Sequence, residues 1–265
     1  MPFHSAVKQG NLVQFYQSAN GPDFRFCTIQ SDLCDSPADS FLLPLRKPFF
    51  LLFLTAFWAA GCSRQKPAPD AAAPLSDSTL HREWNPENVR LMADALPLLQ
   101  AGDIVLRTGA DATSHALRSM NQKNKLYSHC GIVAIEDGQL WVYHSIGGED
   151  NPDARIQRET PERFYSPLSN AGGGACRYDL TPAQKAGVVA RVQQWYREGR
   201  TFDMEFDLQT DEQLYCAEFV YKAFLQSGFS ETHFSKSHAG GFEYIAVDDL
   251  YSHPAAKIIC SFQYK

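Results

Sequence analysis

The sequence predicts an α+β fold with a largely antiparallel sheet, and three observations carry that prediction. Segments of strand and helix character follow one another without strict βαβ alternation. Asp137-Gly138 separates two apolar runs, the signature of a two-residue hairpin. Hydrophobic residues make up 44% of the chain and charged residues 20%, a balance that builds a core and excludes a disordered or collagen-like chain. The 265 residues suffice for one large domain or two small ones. A net charge of −6 and a pI near 5.7 argue against a nucleic-acid backbone as partner.

Asn85-Pro86-Glu87 starts a helix, with Asn as N-cap and Pro in the first turn. Val89, Leu91, Met92, Leu96 and Leu99 carry its apolar stripe to Gln100, and Pro97 should bend it. Ile104 to Leu106 reads as a short strand and Ala112 to Asn121 as a helix. Ser128 to Ile135 is a strand that returns as Leu140 to Ile146, followed by a turn-rich loop from Gly147 to Pro152. Gly172-Gly173-Gly174 precedes a strand, not a helix, so it reads as a flexible turn and not as a phosphate-binding loop. Ala175 to Leu180 is a strand, and Thr181-Pro182 opens an amphipathic helix to Glu198. A second helix covers Tyr215 to Ser227, His233 to Gly241 is a polar loop, and Ala256 to Tyr264 is a closing strand. No repeat and no cofactor motif occurs, so no cofactor is expected.

Ahead of this domain, Leu45-Arg46-Lys47-Pro48, the uncharged run Phe49 to Ala60, and Gly61-Cys62 have the three parts of a secretory signal. The run falls short of the ~18 apolar residues of a spanning helix. Ala59-Ala60-Gly61-Cys62 resembles the lipobox of bacterial lipoproteins, with Ala59 where leucine is usual, which implies lipidation of Cys62. Ser63 after it implies, by the same resemblance, the periplasmic face of the outer membrane. The expected organisation is therefore residues 1–44 as a mis-called start or an extension, 45–61 as signal peptide, 62–84 as a Pro- and Ala-rich tether, and 85–265 as the domain. Cys27 and Cys34 would lie outside the mature fold. Besides Cys62, the mature chain holds Cys130, Cys176, Cys216 and Cys260, an even number that permits disulfides in an oxidising compartment.

Candidate chemistry starts at the hairpin. With Asp137-Gly138 as its loop, Glu136 faces Gln139, His144 faces Gly131 and His129 faces Ile146. Side chains alternate with period two, so His129 and His144 share one face, with room above Gly131. The second centre is Cys216 in Tyr215-Cys216-Ala217-Glu218-Phe219-Val220, in the first turn of a helix whose positive end favours a thiolate. An earlier cap at Thr210 would move Cys216 into the second turn and weaken this effect. A buried cysteine in an apolar stripe is also ordinary core packing. Cys216, His129 and His144 would equally number three zinc ligands, though without metal-site spacing. Asp103 and Glu218 read as structural, His233 and His238 as solvated loop residues, and Cys130 as core or a disulfide partner.

Taken together, Gly102-Asp103-Ile104-Val105, Ser128-His129-Cys130-Gly131-Ile132-Val133 and Tyr215-Cys216-Ala217-Glu218-Phe219-Val220 resemble, in that order, the signature blocks of the YiiX/YaeF-like amidases. These form the circularly permuted papain-fold branch of the NlpC-type cysteine peptidases. The resemblance spans about residues 100–265. It implies a permuted papain-like domain, Cys216 as nucleophile, His129 as base and His144 as the orienting residue, where many relatives carry a carboxylate. A neutral imidazole there can accept the N–H of His129 but stabilises charge less than Asp or Glu. The activity implied is thiol hydrolysis of an amide or ester, the alternative being a non-catalytic binding lipoprotein on the same fold. Phe202, Phe206, Leu214, Tyr215, Phe219, Phe229, Phe234 and Phe242 crowd the nucleophile's region, which favours an acyl-lipid or lipopeptide substrate over a peptidoglycan peptide.

Overall fold

The structure, a computed structural model, describes residues 13–17, 24–28, 77–148 and 150–265. The signal at 45–61 and Cys62 lie outside the described residues. Two compact units divide the chain, residues 1–74 and 75–265. In the first, β1 (Val13–Gln17) pairs antiparallel with β2 (Phe24–Thr28).

The second unit opens with α1 (Asp77–Trp84), a helix inside the segment expected as tether. In α2 (Pro86–Ala95) the Asn85 side chain accepts the Glu87 N–H at 2.9 Å, the cap expected there. The helix stops at Ala95 instead of bending on to Gln100. Pro97 supplies no N–H, and Leu96–Leu98 tighten into a 3-10 turn. There follow β3 (Ile104–Gly109), α3 (Ala112–Ser119), β4 (His129–Glu136), β5 (Gln139–His144), β6 (Gln157–Glu159), α4 (Pro161–Phe164) and β7 (Asn170–Arg177). Then come α5 (Pro182–Glu198), α6 (Cys216–Leu225), β8 (Ser237–Ala239), β9 (Phe242–Tyr244) and β10 (Lys257–Gln263).

Six strands form one antiparallel sheet in the order β10-β7-β3-β4-β5-β6. Alternation along the central strands splits the core in two. Ile104, Leu106, Cys130 and Ile132 pack with Val192, Trp195, Phe219, Val220 and Phe224 of α5 and α6. Val105, Val133 and Val142 pack on the other face with Ala95, Phe164, Tyr165 and Phe262. The α+β class with a mostly antiparallel sheet packed on helices is thus what the chain forms.

Two further segments depart from expectation. Gly172-Gly173-Gly174 is not a turn but the middle of β7. A Cβ on Gly173 would fall 2.5 Å from the Tyr165 ring, and one on Gly174 would fall 2.2 Å from the Tyr127 hydroxyl, so the glycines make room for aromatic side chains. The region expected as a polar loop at 233–241 contains β8, which pairs with β9 through Gly240-Gly241. Both glycines have positive φ, +57° and +85°, as a tight hairpin turn requires. The Asp137-Gly138 turn does the same with φ of +50° and +80°. Cys130, Cys176, Cys216 and Cys260 are all free thiols.

Candidate active site

The β4–β5 ladder pairs Glu136 with Gln139 and Ile132 with Tyr143, the register that the hairpin turn predicts. That register puts His129 and His144 on one face. Their rings meet edge to face with centroids 5.0 Å apart, and His129 Nε2 lies 2.8 Å from His144 Nδ1. Both side chains are buried. Gly131 is what lets them close: a Cβ there would sit 2.8 Å from the Tyr143 carbonyl oxygen and 3.0 Å from the His144 Cβ.

Behind His144 stands a carboxylate that the sequence did not single out. Glu159, at the end of β6, places Oε1 3.1 Å from His144 Nε2. The contact is an ion-pair approach and not a straight hydrogen bond, and neither atom has another hydrogen-bond partner. β6 pairs with β5, with His144 opposite Gln157, which carries Glu159 alongside. Arg107, opposite His129 on β3, reaches Glu159 Oε1 at 3.6 Å and donates to the Phe164 carbonyl at 3.0 Å. Its guanidinium lies 4.7 Å from the centre of the Phe164 ring, against which both imidazoles also pack. Arg163 closes the group, 3.2 Å from Glu159 Oε2.

These neighbours set the protonation states. Burial, then the positive charge of Arg107, then His144 hold the His129 imidazole well below the usual histidine range. Burial and Arg107 lower His144 as well, against the opposing pull of Glu159. For Glu159, burial would raise the carboxyl, but the His144 contact and the charges of Arg107 and Arg163 outweigh it and leave the group lowered. The resting arrangement is two neutral rings ending on an ionised carboxylate.

Cys216 is the first residue of α6, so no earlier cap displaces it into a second turn. Glu218 fixes this start by accepting the Tyr215 N–H at 3.1 Å, and the Tyr215 hydroxyl accepts the Ile245 N–H at 2.8 Å. The Cys216 thiol is lowered: the Cys130 side chain hydrogen-bonds to it, burial opposes, and backbone N–H groups of Ala217, Cys130 and Cys216 add to the lowering. Burial instead pushes Cys130, Cys176 and Cys260 up. Cys216 differs from Cys130, Cys176 and Cys260 in standing at a helix start, where the positive helix end favours a thiolate.

The structure thus brings His129 and His144 into direct contact and seats Cys216 on Cys130, the next residue of the same strand. Cys130 belongs to the core beneath α6, as one of the two sequence readings had it, while the rings of His129 and His144 pack against Phe164 of the other core. The thiol thus meets β4 at Cys130, the residue that follows His129. A small depression beside Cys216 is lined chiefly by apolar residues, Leu117, Met120, Phe206, Tyr215, Tyr244 and Ile245, with Asn121 and Ser128 as polar members.

The remaining candidates are structural. Glu218 is fully buried and 2.8 Å from Lys222, and burial pushes its carboxyl up to about 8. Asp103 accepts two hydrogen bonds from Arg177, at 2.6 and 2.7 Å. His238 is exposed, and His233 packs on the Phe229 ring rather than standing in solvent. Among the described residues no group of three or more His, Cys, Asp or Glu is placed to hold a metal ion. Glu159 was not legible because β6 is only three residues long, and Arg107 because its contact with Glu159 joins positions far apart in the chain. The one local signal was Thr160-Pro161, an N-cap and first-turn proline that start α4 directly after Glu159.

No protein-family model matches the chain, and no curated protein matches it in sequence. Among solved structures the fold is similar to that of the metalloprotein yiiX from Escherichia coli O157:H7, DUF1105, at 13% identity and a TM-score of 0.49. The similarity covers 63% of this chain and 97% of that one.

Proposed function

We propose that this protein is a thiol hydrolase of the permuted papain-like type, with Cys216 as nucleophile, His129 as base and His144 as orienting residue. The observation that carries the reading is Cys216 as the first residue of a buried helix, its thiol lowered and hydrogen-bonded to Cys130, the β4 residue that follows His129 of the hydrogen-bonded His129–His144 pair. In this reading the sulfur gives its proton to His129 and attacks an amide or ester carbonyl. Because burial and Arg107 disfavour a charged His129, the resting site is thiol and neutral imidazole, and proton transfer accompanies attack. Backbone N–H groups at the α6 start, including that of Cys216, receive the developing oxyanion. His129 then returns the proton to the leaving group, and water clears the thioacyl-enzyme.

The apolar residues around Cys216, among them Leu117, Phe206, Tyr215 and Ile245, favour an acyl-lipid or lipopeptide substrate over a peptidoglycan peptide. A lipid anchor on Cys62 at the periplasmic face of the outer membrane would place the enzyme beside either substrate. The test is incubation of the wild-type protein and Cys216→Ala with acyl-lipids and with peptidoglycan fragments, followed by mass spectrometry. Fatty-acid or lipopeptide cleavage that depends on Cys216 is expected. Release of muropeptide fragments with the lipids untouched would reverse the substrate assignment, and no Cys216-dependent product from either would favour a binding lipoprotein.

A further inference from the structure

We infer that Glu159, acting through His144, fixes which nitrogen of His129 carries the proton, so that Nδ1 of His129 is the nitrogen left free to accept one. The inference rests on the proposed role of His129 as base and assigns what sets that base.

Donors and acceptors must alternate from Glu159 through His144 to His129. An ionised carboxylate only accepts, so the His144 Nε2 that faces Glu159 Oε1 at 3.1 Å must carry a hydrogen. A neutral imidazole has one N–H, so His144 Nδ1 is a lone pair. That lone pair lies 2.8 Å from His129 Nε2, which must then be the donor. Neutral His129 has spent its hydrogen on this bond, and its Nδ1 is unprotonated. The opposite chain, with His129 accepting from His144, would turn a His144 lone pair onto the carboxylate, with no proton between two buried acceptors. Arg107 and Arg163, 3.6 and 3.2 Å from the Glu159 oxygens, keep that carboxylate ionised. The charge of Glu159 also offsets, through His144, the positive charge that His129 gains when it takes the thiol proton. No proton leaves the line: Glu159 stays a carboxylate throughout, and His129 Nε2 keeps its hydrogen.

Glu159 is therefore a positioning residue, and its removal should alter protonation and not only packing. In the wild-type protein, two-bond ¹H–¹⁵N correlation NMR should show the Nε2–H tautomer for both His129 and His144 at neutral pH. An Nδ1–H signal on His129 would overturn the inference. In Glu159→Gln, loss of the negative charge makes His129 a weaker base. The rate of Cys216 alkylation by iodoacetamide should fall by about tenfold, and its acidic limb should move to lower pH. A Glu159→Gln protein whose limb stays at the wild-type position, whatever its rate, would reduce Glu159 to a structural ion pair. Parallel alkylation of His129→Ala separates the two claims. If that variant reacts like wild type, the base role fails even where the tautomers hold.

Discussion

At the scale of single residues, the site depends on an absent side chain as much as on the ones present. Gly131 allows the β4 and β5 backbones and the His144 Cβ to approach within distances that any Cβ would violate. Gly131→Ala would push against a carbonyl oxygen and a side-chain stub, neither of which can swing aside. It should destabilise the domain by about 1–3 kcal/mol in urea titration and, by parting the imidazoles, slow Cys216 alkylation. The histidine pair was legible in the sequence because period-two alternation and a two-residue turn fix a register without any long-range information. Cys216 was legible because a helix start is a local feature. Glu159 was not, since nothing local tells a carboxylate in a three-residue strand from one on the surface. Only the pairing of β6 with β5 gives it meaning.

The elements divide in the same way. The α5 helix has the bounds its sequence predicts, because Thr181-Pro182-Ala183-Gln184 is a capping box: the Gln184 N–H donates to Thr181 Oγ1 at 3.2 Å and the Thr181 N–H to Gln184 Oε1 at 3.0 Å. Thr181→Ala should cost about 1 kcal/mol by thermal or urea unfolding and leave Cys216 reactivity unchanged, since the cap lies at the far end of a packing helix. The β7 strand was hidden for the opposite reason. Three consecutive glycines signal flexibility locally, and only the Tyr165 and Tyr127 side chains over Gly173 and Gly174, with the Phe262 carbonyl beside Gly172, show why the strand tolerates no larger residue. In α6, the Glu218–Lys222 pair and the Tyr215 anchor hold the start of the helix, and so the thiol, against the sheet.

For the whole molecule, the buried imidazoles make stability pH-dependent. His129 and His144 are both lowered in the folded state, whereas in the unfolded chain they titrate near ~6.5. Below that value the unfolded state binds more protons than the folded one, so their contribution makes stability fall as pH drops through the acid range. Glu159 is lowered too, but its stabilising contribution is present above its unfolded value near ~4.3 and is lost only in stronger acid, as pH falls through its folded pKa. Between pH 7.5 and pH 5 the histidines govern, and Tm should decline. His129→Ala and His144→Ala should flatten the decline, whereas a wild-type Tm constant over this range would show that the rings charge freely when folded. The α+β sheet architecture was legible from the order and patterning of the strands; the packing that sets the thiol on Cys130 and the imidazoles on Phe164 was not, because it depends on where α4 and α6 dock.

The pairing of Cys216 with His129 is tested most directly by reacting the full chain with iodoacetamide and following each cysteine by peptide mass spectrometry, in wild type and in His129→Ala. A Cys216 served by His129 should alkylate far faster than Cys130, Cys176 or Cys260, and the substitution should slow Cys216 by about 100-fold while leaving the others unchanged. Equal reaction at all four cysteines, or a Cys216 rate indifferent to His129, would contradict a catalytic thiol at this site.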